Sequence, residues 1–323
     1  MVAPSDSTGA NDQPGVNRVL LLDGGMGQEL LHRGVGNRTG SGQELWSAQA
    51  LVSDPDAVRA VHCDYIRAGA DVITTNTYAT TRLRLERVND PRYDFVDLNL
   101  TAATLAQQAR DEVGRNVLIA GSLPPLNGSY RPDRVLDRVT LDAAYREQAE
   151  VLSPHVDLLL CETMSTVDEA VAAASAACLT GKPVWVAWTL ADGGADHLRS
   201  GESIEEAWSA LGDLPIEAAL VNCCAPESIS ACMPYLAQTG ARYVGGYANG
   251  FVAIPDDWQL ERQSVDGLQT RQDLNPDQYA RYAMQWIERG ANVVGGCCEV
   301  RPAHIQKLAE KMAMRETPAE FLS

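Results

Sequence analysis

Short, almost unbroken apolar runs recur along the chain at 18–23, 71–77, 116–122, 157–162, 183–189, 217–222, 242–247 and 291–296. Runs such as VLIAGS and LLLC lack the polar alternation of a half-exposed strand and fit parallel strands covered on both faces. Between them, apolar positions return at helical spacing over 56–68, 94–113, 141–152, 166–178, 203–211, 226–238, 276–289 and 302–314. Pro226 and the pair Asn275-Pro276 mark helix starts, while Gly69, Gly181, Gly240 and Gly290 stand just past helix ends. Eight alternating strand–helix units with no break in composition predict one α/β domain, a closed (β/α)8 TIM barrel over residues 17–323. An open doubly wound sheet is the runner-up, but the first strand is followed by GGMGQE and not by GxGxxG. Residues 1–16, polar and interspersed with Gly and Pro, read as a disordered leader.

Composition narrows the partners. At 45% apolar and 21% charged residues the chain of 323 is ordinary globular protein. Its formal net charge of -17 disfavours nucleic acid and anionic lipid and biases the surface toward cationic small molecules. Only Lys182, Lys307 and Lys311 are lysines, and none falls at a strand end, which argues against Schiff-base chemistry. No run of about 18 apolar residues is present, so no spanning helix is expected. The start has no basic-then-apolar export pattern, and the reading is a cytoplasmic enzyme of small molecules, with a homo-oligomer allowed.

A barrel places its chemistry where strands end. Those ends carry Asp23, Thr75-Asn76-Thr77, Ser122, Glu162, Thr189, Cys223, Asn249 and Cys297-Cys298. Two connections on that side are long: 24–55, and 249–275, the latter a candidate lid. Of the eight cysteines, Cys63, Cys178 and Cys232 on helices and Cys161 inside strand four read as packed thiols. Cys223, Cys297 and Cys298 come from strands six and eight and can converge on one tetrahedral ion, with Gly295-Gly296 letting the backbone turn. Three thiolates with an open fourth position fit a catalytic zinc; Cys224 as a fourth ligand would close it. A tris-thiolate zinc is a poor activator of water, but it can bind a thiol and keep it ionised as a nucleophile. Such a sulfur calls for a cationic alkyl donor, a sulfonium or quaternary ammonium, with Trp46 and Tyr78 near the mouth offering ring faces to it. Trp46 reads equally well as a packing residue of its loop. Asp23 and Glu162 can hold a substrate ammonium or act as an acid–base pair, and the TNT segment can offer donors to a carboxylate. The five histidines fall at no strand end and read as surface or satisfied residues.

LLDGGMGQEL at 21–30, ELWSAQAL at 44–51, AGADVITTNTY at 68–78, LLCET at 159–163, VNCCAP at 221–226 and GGCC at 295–298 occur in this order. Over roughly residues 17–314 the chain resembles the homocysteine S-methyltransferase family. The resemblance implies that Cys223, Cys297 and Cys298 ligate Zn2+, that Asp23 and Glu162 hold the homocysteine ammonium, and that Thr75 contacts its carboxylate. It places Trp46 near the methyl donor and Tyr78 in the strand-two motif. Glu299, Val300 and Arg301 after GGCC depart from the family pattern, as does YANGFVAIPDDW at 247–258. The expected reaction is methyl transfer from S-methylmethionine or S-adenosylmethionine to homocysteine, giving methionine. The alternatives are another small thiol or selenol, a betaine or dimethylsulfoniopropionate donor, and, from a different class, a non-catalytic zinc- or thiol-binding barrel.

Overall fold

The computed structural model describes residues 18–36, 43–192, 196–255, 258 and 268–316. The leader at 1–16 and residues 256–257 and 259–267 of the candidate lid lie outside them. Eight parallel strands form one sheet: β1 (Leu20–Leu21), β2 (Val72–Thr74), β3 (Leu118–Leu123), β4 (Leu158–Met164), β5 (Val184–Trp188), β6 (Ile216–Asn222), β7 (Tyr243–Ala248) and β8 (Val293–Gly296). The hydrogen-bonded order runs β1-β8-β7-β6-β5-β4-β3-β2, and a parallel bridge between Leu22 and Val72 brings the two ends together. At this seam the Asp71 amide donates to Leu21 O at 2.6 Å and the Asp23 amide donates to Val72 O at 3.0 Å. The chain is a (β/α)8 barrel, as the alternation of elements predicts.

Side-chain parity along the strands sorts two cores. Leu20, Leu22, Leu158, Leu160, Trp185, Ala187, Ala218 and Leu220 fill the barrel interior. Leu21, Leu159, Cys161, Val186 and Ala219, one position out of phase, pack under the helices. Cys161 therefore lies in the helix-side layer, and its neighbour Glu162 belongs to the interior face.

The helices are α1 (Met26–His32), α2 (Ala50–Ser53), α3 (Pro55–Arg67), α4 (Arg82–Val88), α5 (Phe95–Val113), α6 (Arg138–Leu152), α7 (Val167–Cys178), α8 (Ile204–Ala210), α9 (Pro226–Leu236), α10 (Pro276–Glu288) and α11 (Pro302–Glu316). Eight of them match the expected helices within a few residues. Caps follow the sequence: Ser203 and Glu206 make a capping box at α8, and Asp94 accepts from Val96 and Asp97 amides at α5. The remaining three, α1, α2 and α4, are short, four to seven residues, and lie in stretches read as connections. One expectation about histidines fails. His62 is fully buried on α3, and neither ring nitrogen finds a hydrogen-bond partner among the described residues. Burial pushes its pKa down to about 4, keeping the ring neutral.

Candidate active site at the barrel mouth

Three sulfurs meet at the mouth. Cys297 Sγ lies 2.6 Å and Cys298 Sγ 3.9 Å from Cys223 Sγ, and all three fall within 4.8 Å of one another. Among the described residues this is the one cluster of metal-ligating side chains. An edge of a tetrahedron of thiolates around zinc is about 3.8 Å, from Zn–S bonds of about 2.3 Å, so the longer separation already matches and the shorter one must open by about 1 Å. The Cys224 thiol points the other way, into the helix-side core, where burial pushes its pKa up to about 12. It supplies no fourth ligand.

Each sulfur is placed by strain and close approach. Cys223 takes a left-handed φ of +50°. Its carbonyl is held by Asn249 Nδ2 at 2.9 Å and Thr189 Oγ1 at 3.3 Å, and its amide donates to Tyr247 O at 3.0 Å. Gly295 and Gly296 serve differently from the expected turn. Neither has positive φ, but a Cβ on Gly295 would sit 2.5 Å from Leu22 Cβ and one on Gly296 would collide with Val300. The turn itself falls on Glu299, at φ +65°. Among the described residues six non-glycines have positive φ, and five of them (Trp46, Tyr130, Thr163, Cys223 and Glu299) line or adjoin this site. Such strain persists only where surrounding structure over-determines it, and it concentrates at functional sites.

The sulfurs open onto a cavity that is also lined by Asp23, Trp46, Thr75, Tyr78 and Glu162, the residues expected to bind substrates. Asp23 accepts from the Thr74 amide at 2.8 Å and from Thr74 Oγ1 at 3.1 Å. Glu162 accepts from Ser122 Oγ at 2.5 Å and Tyr247 Oη at 3.4 Å. A register shift between Cys161 and Met164 carries it into the mouth, and Asn222 secures that bulge by accepting from the Thr163 amide and donating to Thr163 Oγ1, each at 2.8 Å. The Thr75 hydroxyl is already engaged: it accepts from the Ser122 amide at 3.2 Å and gives its proton to Thr77 Oγ1 at 2.8 Å, since Thr77 donates to Ser122 O. Trp46 meets Tyr78 edge to face at 5.9 Å, and a Cβ on Gly27 would fall inside the Trp46 ring. The glycines of GGMGQE thus serve close packing; a Cβ on Gly25 would lie 2.7 Å from Cys297 O.

Charge in this pocket is unusual. Burial, reinforced by the Glu162 charge, pushes Asp23 up to about 8, and burial, reinforced by Cys223, pushes Glu162 up to about 7. Burial also raises the Cys223 thiol, but hydrogen bonds from Cys297, Cys298 and Tyr130 outweigh it and hold Cys223 well below the ordinary thiol range, with its two partners well above. The folded pKa values of both carboxyls exceed the unfolded ones, so their stabilisation is complete below pH 4 and is lost as pH rises through about 7 to 8. His62 opposes this below its ordinary value of 6.5, and Cys223, held well below the ordinary thiol value of 9.0, opposes it up to that value. Calorimetry of the metal-free, reduced protein should therefore be read against Glu162→Gln: relative to that variant, the wild-type melting temperature should fall between pH 5 and 8 by on the order of 5 °C. Parallel profiles would mean that Glu162 ionises near its usual value.

Sequence reasoning missed Tyr130, Phe251, Trp258 and Leu268. They form a small apolar cluster with Cys223 and Cys298 over the triad. Phe251 bridges Thr270 in antiparallel fashion, and the Val252 amide donates to Gln269 O at 2.8 Å, so the described ends of the β7 connection pair with each other. The residues after GGCC that break the family pattern act as clamps to α1, to the residue before it and to α3. Glu299 accepts from Gln28 Nε2 at 2.5 Å, Val300 O accepts from the Gly25 amide at 3.1 Å and Tyr65 Oη at 3.0 Å, and Arg301 Nε donates to Glu29 Oε2 at 2.7 Å.

The model of the homocysteine S-methyltransferase family matches residues 20–312. The chain belongs to that family. It is 31% identical to the homocysteine S-methyltransferase of Escherichia coli over 310 residues, covering 90% of this chain and 94% of that one. It is 28% identical to the selenocysteine methyltransferase of Astragalus bisulcatus, covering 93% of this chain and 94% of the relative. The metallated form of the E. coli homocysteine methyltransferase MmuM superposes with a TM-score of 0.75 at 30% identity, over 91% of this chain and 96% of that one. The protein is therefore a methyltransferase built on this barrel, which sets aside the non-catalytic reading. No helix of the described residues is long and apolar enough to cross a membrane.

Proposed function

We propose that this methyltransferase moves a methyl group from a sulfonium donor, S-methylmethionine or S-adenosylmethionine, to the sulfur of homocysteine, giving methionine. The observation that carries the reading is the convergence of three thiols beside two buried carboxyls in one aromatic-walled cavity. Cys223, Cys297 and Cys298 would hold Zn2+; their all-sulfur donor set, lacking a fourth protein ligand among the described residues, fits a zinc that keeps a position for substrate. When bound, the metal binds a thiol and keeps it ionised near neutral pH. Asp23 and Glu162 bind the homocysteine ammonium, and its charge draws both carboxyls into the ionised form. Trp46 and Tyr78 present rings to the cationic donor. The Thr75–Thr77 turn faces the substrate carboxylate, with Thr75 turning its proton from Thr77 to the ligand. The walls exclude water, so the thiolate attacks the methyl carbon in line while the sulfonium keeps the electron pair of the breaking bond.

The selenocysteine methyltransferase relative favours a second reading with the same chemistry, in which a selenol or another small thiol is the acceptor. Mass spectrometry of zinc-loaded, reduced protein tests both, with homocysteine and selenocysteine offered in turn to S-methylmethionine, S-adenosylmethionine, betaine and dimethylsulfoniopropionate. Methionine formed from homocysteine with a sulfonium is the expected result. Methylation of selenocysteine alone would transfer the site to the second reading, and turnover with betaine alone would overturn the donor.

A further inference from the structure

We propose that Tyr130 is a positioning residue for the sulfur cluster, donating a hydrogen bond from its hydroxyl to Cys223 and weakening that sulfur's electron donation to a bound metal. The inference rests on reading the triad as a metal site. Tyr130 Oη lies 2.9 Å from Cys223 Sγ, and the residue is 6% exposed. A sulfur that ligates a metal does so as a thiolate and has no proton to give, so the phenol is the donor.

Three connections meet on this one ring. Tyr130 itself comes from the connection after β3 and has a left-handed φ of +64°. Arg199, from the connection after β5, sets its guanidinium 4.9 Å from the ring centroid. Arg199 is paired with Asp192 at 3.3 Å, and Asp192 Oδ2 also accepts from the Ile254 amide at 2.9 Å in the connection after β7. Trp258 packs on the ring at 5.6 Å. A cation over the face draws density from the ring and makes its hydroxyl a stronger donor. Phenylalanine would fill the same apolar volume, so the strained backbone and buried hydroxyl against sulfur call for a purpose beyond packing. Three full thiolates would leave a divalent metal with net negative charge; a hydrogen bond to one of them returns part of the metal's attraction for an incoming thiol.

The test compares full-length wild type, Tyr130→Phe and Arg199→Met, each loaded with cobalt(II), by the sulfur-to-cobalt charge-transfer bands and by the pH profile of methyl transfer. In Tyr130→Phe the bands should move to lower energy, the acid limb of kcat/KM should shift to higher pH, and kcat/KM should fall by about tenfold. Arg199→Met keeps the hydroxyl and should move both readouts the same way by less, which covers the case of a phenylalanine variant that fails to fold. A purely structural role would lower the melting temperature and leave band energies and the pH limb alone. Bands and limb at their wild-type positions in metal-loaded variants would overturn the proposal. Wild type that takes cobalt without sulfur-to-cobalt bands would overturn the metal reading instead.

Discussion

Cys297→Ser is expected to lose its metal on dialysis and to transfer methyl groups at least about 10³-fold more slowly than wild type. Structural zinc sites bind with roughly 10–16 kcal/mol shared among their ligands, so one sulfur in such a set contributes about 3–4 kcal/mol. A serine oxygen replaces it poorly, because the hydroxyl stays protonated at neutral pH. Here the loss is aggravated by geometry. Cys297 Sγ is the nearest partner of Cys223 Sγ, at 2.6 Å, so its removal also takes away the contact that helps to place one of the two remaining ligands. Cys224→Ser is the matched control, one residue from a triad sulfur but facing the helix-side core. It should keep one metal per chain and lose stability only, by about 1–2 kcal/mol for a hydroxyl buried among apolar groups. Metal analysis of the two variants side by side checks the assignment. Stoichiometric metal in Cys297→Ser would refute it.

The second large effect is expected from Glu162→Gln, which should raise KM for homocysteine on the order of 10²-fold while leaving metal content unchanged. Breaking a buried charge pair costs roughly 2–5 kcal/mol. Glutamine keeps an oxygen for Ser122 and Tyr247, so the cavity retains its shape and only the charge is lost. The variant also has a pH consequence. Glu162, at about 7 when the pocket is empty, must shed a proton to receive an ammonium, so wild-type affinity for homocysteine should weaken below pH 7. The variant should lose that part of the dependence and keep the part due to Asp23, at about 8. Titration calorimetry in buffers of different ionisation enthalpy would count the protons. Unchanged KM in Glu162→Gln would remove this carboxyl from substrate binding.

Much of this was legible from residue spacing. The strand ends put Asp23, Glu162 and the three cysteines at one mouth, and eight alternating runs predicted the barrel itself. What escaped came from backbone events that have no period. The second strand was expected to reach residue 77, but β2 ends at Thr74, where the amide turns to the Asp23 carboxylate and the Thr77 amide folds back onto Thr75 O. The resemblance named Cys223 and not Cys224 as the ligand, but the residues themselves do not say why; the left-handed backbone at Cys223 is what parts the two thiols. Tyr130 and Trp258 lie in connections, where neither helical nor strand spacing marks an inward side chain. Their one hint was aromatic character within long segments on the catalytic side.

The seam between β1 and β2 has a consequence of its own. Elsewhere in the ring, neighbouring strands are joined through ladders of two to five registered pairs, whereas here a single bridge is supplemented by side-chain carboxylates. One of them, Asp23, accepts the Thr74 amide and also faces the substrate cavity. The barrel's weakest joint and its substrate contact are thus the same carboxyl group. A cationic ligand that ionises Asp23 strengthens its grip on Thr74, so occupancy at the mouth is transmitted to the hoop that holds the scaffold shut. Protection of the Thr74 amide against solvent exchange becomes a gauge of filling, built into the circumference of the protein.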